Sequence, residues 1–139
     1  MLSKLTIIPR VDIRMITEIV ENGETEFLGE QREFRRHPVM DEFLAQSARL
    51  SIAWVRLAAG QALKLHQHPI RSMVLVCRGQ AVVFDDGVEK PLVEGDAILI
   101  PAMYRHAFGA AGPDGAEGLS IQFEQRGIFE DEHNPLIKY

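Results

Sequence analysis

From Ser51 onward the chain is cut into short apolar runs: SIAWVRL, ALKLH, SMVLVC, AVVFDDG, DAILIP, RHAFGA and LSIQFE, with Gly60, Gly79, Gly87, Gly95, Gly112 and Gly115 among them. Short runs of alternating polarity between turn residues are the pattern of strands. Many such strands, closely spaced, predict a β-sandwich or a small barrel.

The N-terminal part reads differently. Leu5, Ile7 and Ile8 before Pro9, then Val11, Ile13 and Ile16, alternate imperfectly and predict short strands closed by a turn at Asn22-Gly23. Between Pro38 and Leu50 the period changes, because Met40, Phe43, Leu44 and Ala48 fall three and four apart. This predicts one short helix, with Asp41 and Glu42 in its first turn where the helix dipole favours acidic groups. Its apolar stripe is expected to be consumed by the wall of the β-rich body. A single domain over 1–139 is the economical division, with strands and helix in 1–50, a β-rich core in 51–125 and a tail in 126–139.

Charge and cysteine content narrow the partners. With 15 basic and 20 acidic side chains the net charge is -5, and the densest basic run, Arg32 to Arg36, is interrupted by Glu33 and Phe34. Such a surface repels a phosphate backbone, so no nucleic-acid partner is expected. The single Cys77 cannot close an internal disulfide, and no long apolar stretch follows a basic leader. A cytoplasmic chain with neither signal peptide nor membrane span is therefore expected.

His66 and His68 stand two apart in GQALKLHQHP, and a strand turns both imidazoles to one face. His106, in GDAILIPAMYRHAF, comes from a separate strand-like run. Three neutral imidazoles suit a transition metal, whereas Mg or Ca would prefer oxygen ligands. Taken alone, the pair is also compatible with surface residues beside Gln67 and Pro69, and His106 with a polar gap-filler.

Together these segments resemble the cupin superfamily. Its first motif runs G, five residues, HxH, three or four residues, E, six residues, G. Gly60, His66, His68 and Gly79 stand at its fixed positions, with Ser72 where the glutamate is expected. The second motif runs G, five residues, PxG, two residues, H, three residues, N. Gly95, Pro101 and His106 match it, while Met103 replaces the glycine and Ala110 the asparagine. Fifteen residues separate Gly79 from Gly95, and the resemblance covers about residues 51 to 125. It implies a mainly β double-stranded β-helix, a jelly-roll barrel, holding one divalent transition metal on His66, His68 and His106. Fe(II) is the favoured ion, with Zn, Ni or Cu as alternatives. Replacing a carboxylate ligand by Ser72 would leave the ion more Lewis-acidic and more open.

Counting by twos from Ser72 sends Val74 and Val76 inward, and from His106 it sends Phe108 and, less directly, Tyr104. Such a lining would fit a modest organic substrate. Tyr104 is the candidate for acid–base or oxygen-orienting work. Arg56 would clamp a carboxylate or enolate if it points inward and is a solvated residue if it points outward, with Trp54 sharing its parity. Gln122 would contact a ligand or complete the metal shell if the polar face of LSIQFEQ lines the mouth. Gln61, Arg71 and Cys77 are weaker candidates, Cys77 being expected as a small buried packing group.

The leading expectation is a metal-dependent enzyme on a small chelating molecule, of three-histidine oxygenase type. The alternatives are a non-redox cyclase, isomerase or lyase of the polyketide-cyclase kind, and a non-catalytic small-molecule-binding module. Homodimerisation through the N-terminal strands is expected, because exposed β edges demand protection.

Overall fold

The computed structural model describes residues 4–21, 23–45 and 50–123. From Leu50 onward the strands are β3 (Leu50–Leu57), β4 (Ser72–Gly79), β5 (Ala81–Asp85), β6 (Val88–Leu92), β7 (Ala97–Ile100), β8 (His106–Ala110) and β9 (Ala116–Phe123); β6 lies outside the expected runs, and the expected strand ALKLH makes only isolated bridges at Ala62 and His66. Ahead of them lie β1 (Ile16–Glu21), β2 (Glu24–Glu33) and α1 (Pro38–Ala45). Gly23 sits in the turn between β1 and β2, and Asn22 lies outside the described residues. The helix keeps Pro38 at its first position and Asp41 in its first turn. Its apolar stripe is not consumed as expected, since Phe43 is 59% exposed; Ala48 lies outside the described residues.

The strands form two antiparallel sheets. One has six strands in the order β1-β2-β3-β9-β4-β7, the other three in the order β6-β5-β8. Alternation decides what each sheet buries. On β3, Ser51, Ala53 and Leu57 turn inward, while Trp54 and Arg56 turn to the opposite face, where Arg10 stacks on Trp54 at 4.0 Å. Val76, Ala81, Val83, Leu92 and Ala116 form a buried cluster between the sheets, with Ile98, Phe108 and Ala110 packed on it. Val76, Val83 and Leu92, withdrawn from water, each contribute about 1.5–3 kcal/mol before the entropy of ordering is set against it, and the two alanines less.

The jelly-roll barrel implied by the family resemblance does not form. The two sheets stay open, because the segment that would join them makes no continuous ladder. Between β3 and β4 the chain meets β8 only at two isolated bridges, Ala62 with Gly109 and His66 with His106, and the register slips by one residue between them. Pro69 then removes a backbone donor from the same segment. Closure needs uninterrupted pairing around the ring, and the described residues leave β7 and β1 as the edges of one sheet and β6 and β8 as those of the other.

At Gly79 the chain passes from the larger sheet to the smaller. Its φ is +77°, and a Cβ there would lie 2.1 Å from the carbonyl oxygen of Gly115. Backbone meets backbone at that crossing, so only a residue without a side chain fits. Among the described residues no helix is long and apolar enough to cross a membrane.

Candidate metal centre

His66 and His106 face each other as a reciprocal backbone pair. The amide of each donates to the carbonyl of the other at 2.9 Å. In an antiparallel pair, directly opposed residues carry their side chains to the same side, which brings two imidazoles together from distant parts of the sequence. His68, two residues on, joins them, and the Met103 amide donates to its carbonyl at 2.8 Å. Ring centroids lie 4.4 Å apart for His66 and His106, 5.1 Å for His68 and His106, and 6.0 Å for His66 and His68. One nitrogen from each buried ring lies within 4.8 Å of the others.

The tautomers follow from the outer partners. Nδ1 of His66 donates to the Lys64 carbonyl at 2.8 Å, that of His68 to Ile70 at 2.9 Å and that of His106 to Tyr104 at 2.8 Å. A carbonyl oxygen can only accept, so each Nδ1 carries the proton and each Nε2 presents a lone pair. Burial then keeps the rings neutral. It pushes all three below the ordinary histidine value, and for His106, where His66 adds its repulsion, to about 4. Three neutral, pre-oriented nitrogen donors within 4.8 Å of one another make a site able to coordinate a divalent metal. No Asp, Glu or Cys joins the cluster among the described residues.

The cluster opens into a cavity of about 100 Å³ between the sheets. Ser72, Val74, Val76, Phe108 and Gln122 line it. Ser72 and Gln122 are direct register partners on β4 and β9, so their side chains sit side by side on the inner face. Gln122, 2% exposed, donates from Nε2 to Ser120 Oγ at 2.7 Å.

Other sequence candidates lie elsewhere. Trp54, Arg56 and Tyr104 are not among the lining residues. Arg56 is half-exposed beside Glu30 at 3.8 Å and Glu117 at 4.0 Å. The Tyr104 hydroxyl donates to the Asp85 carboxylate. That bond raises the phenol above its ordinary value, while Lys90 first and Tyr104 second hold Asp85 below its own. Gln61 accepts the Ala58 amide in a turn, and Arg71 stacks on Phe123. Cys77 is exposed rather than buried, because its parity on β4 is opposite to that of Ser72.

Sequence reading missed the contribution of β2. Phe27, Leu28 and Gln31 line the cavity, because β2 pairs with β3 and continues the same inner face. The only local signal was the apolar pair Phe27-Leu28 in an otherwise polar run, which says nothing of the strand it would join.

A family model described as a cupin domain matches residues 53–122. The chain is a cupin. No curated protein matches this cupin in sequence. Among solved structures it is similar to the polyketide cyclase RemF from Streptomyces resistomycificus, at 14% identity and a TM-score of 0.68, covering 97% of this chain and 84% of that one. A cupin-like protein from Thermotoga maritima gives 23% identity and a TM-score of 0.55, covering 69% and 70%. The DMSP lyase DddQ from Ruegeria pomeroyi gives 25% identity and a TM-score of 0.50 over 60% of this cupin, which spans only 41% of the lyase. At identities this low the first two likenesses speak to the fold.

Proposed function

We propose that this cupin is a metal-dependent enzyme that acts on a small organic molecule chelating the ion through oxygen atoms, with oxygenase chemistry. The observation that carries this reading is three Nε2 lone pairs in a mostly apolar cavity whose described lining residues include no spare acid or base. Besides the histidines, its ionisable lining residues are Lys64 and Glu117, and both are committed, Lys64 to Glu26 at 3.0 Å and Glu117 to Arg10 at 3.1 Å. A reaction that needed the protein to move protons would need one of them free.

When bound, a divalent transition ion supplies Lewis acidity and, if ferrous, redox reactivity toward O2. The chain's own residues hold and dry the substrate. Ser72 and the Gln122 amide offer hydrogen bonds to its oxygens, standing where a carboxylate ligand would otherwise lower the charge of the site. Val74, Val76 and Phe108 exclude water from its carbon skeleton.

Likeness to a polyketide cyclase over nearly the whole chain, and to a lyase over part of it, favours a second reading as a Lewis-acid cyclase or lyase. There the proton acceptor would come from the substrate itself. Metal analysis of anaerobically purified protein, with oxygen uptake on chelating diols and diketones, separates the two. Substrate-dependent uptake by the ferrous protein, lost in His66→Ala, supports the oxygenase. Turnover under nitrogen with stoichiometric zinc replaces it with the second reading, and tight binding without turnover points to a binding module. Pairing of two copies along the edge strand β1 belongs to the same proposal and is checked by light scattering.

A further inference from the structure

The carbonyls that orient the three histidines are held by unequal means. Ile70, which serves His68, is buried. Tyr104, which serves His106, belongs to Pro101–Arg105, a stretch in which every residue is exposed. Burial therefore cannot fix that carbonyl. A tight turn begins the task, with the Tyr104 amide donating to Pro101 at 3.3 Å and Met103 held at a φ of +64°. Among the described residues, the side-chain anchor of this stretch is the phenol of Tyr104 on Asp85. Asp85 is itself clamped by Lys90 at 2.6 Å, and on β5 it is the register partner of His106 on β8. The anchor thus returns to the ligand's own position in the sheet.

We propose that Tyr104 is a positioning residue of the metal centre, tied down by Asp85 so that its backbone carbonyl fixes the tautomer and direction of the His106 ring. This rests on the metal-binding reading of the histidine cluster. Freed of the tether, the exposed turn samples other conformations, the Nδ1 hydrogen bond is intermittently lost, and Nε2 carries the proton part of the time. The same turn delivers the Met103 amide to the His68 carbonyl, so two ligands feel one anchor.

The test uses the full chain, with Co(II) as probe. Tyr104→Phe and Asp85→Ala should each weaken Co(II) binding about tenfold, the low end of the loss seen when an outer hydrogen bond to a ligand is removed. The metal-free melting temperature should stay within about 2 °C of the parent. The double variant should be no weaker than either single one, because one link is cut twice. Asp85→Asn, which keeps an acceptor for the phenol, should retain most of the affinity. Affinities unchanged by both substitutions, or lost only in step with the melting temperature, would overturn the proposal. Long-range ¹H–¹⁵N spectra of the metal-free protein decide the matter independently. His106 protonated at Nδ1 in the parent and mixed in both variants supports the tether, and identical spectra reject it. A parent chain that binds no Co(II) would sink the functional reading, while the spectra would still decide for or against the anchor.

Discussion

A histidine whose Nδ1 faces a carbonyl has little freedom of tautomer, and here three are fixed the same way. The metal-binding capacity of the site therefore resides in individual imidazoles. Replacing His66, His68 or His106 singly by Ala should lower divalent-ion affinity by at least about a hundredfold, because a three-donor site loses a full ligand, while circular dichroism still reports a folded chain. Met103 makes a second prediction at this scale. It holds φ +64°, which costs a residue with a Cβ about 1–2 kcal/mol, and is half-exposed. Met103→Gly should leave stability equal or raise it by up to about 1 kcal/mol, whereas the β-branched Met103→Val should lower it by about 1–2 kcal/mol despite its exposed position. Urea denaturation of the two variants measures both.

At the scale of elements, glycines of similar backbone conformation separate into two kinds. Gly79 and Gly87 have φ +77° and +78°, yet a Cβ at Gly79 would strike the Gly115 carbonyl, while one at Gly87 meets nothing within 4 Å. Gly79→Ala should cost more than about 3 kcal/mol or prevent folding, and Gly87→Ala only about 1–2 kcal/mol. The contrast also shows what a sequence discloses. Strand runs, their glycine boundaries and the common face of His66 and His68 were legible, because a period of two is a local property. Closure was not, because it depends on whether residues 58–71 pair without interruption: Pro69 stands in the sequence, but the one-residue register slip between the two bridges is visible only in space. The place of Phe27, Leu28 and Gln31 in the cavity was hidden for the same reason, since it follows from β2 pairing with β3. For Arg56 and Trp54, parity tied the two together but left their direction open until the inner face of β3 was known.

For the whole molecule, the buried histidines couple folding to pH and to metal. Their pKa values in the folded chain lie below the ordinary 6.5, that of His106 at about 4. Between those values the unfolded chain binds more protons than the folded one, so stability is fully present above about pH 6.5 and falls as the solution is acidified toward pH 4. Denaturation midpoints of the metal-free protein should drop across that window, and a variant with His106→Asn should show a shallower fall. A bound ion adds stability by mass action, about 2.7 kcal/mol at a hundred times its dissociation constant, so a chelator should lower the melting temperature of the loaded protein. The ion should leave over the same acidic window, because protons compete for the same Nε2 lone pairs.

The measurement that bears most directly on the metal centre is X-ray absorption at the edge of an ion loaded into the protein. One ion per chain, with three imidazole nitrogens in its shell at about 2.0–2.1 Å and one fewer in each single histidine variant, is the predicted result. A shell with no more than one imidazole nitrogen, or a spectrum that His66→Ala, His68→Ala and His106→Ala leave unaltered, would contradict it.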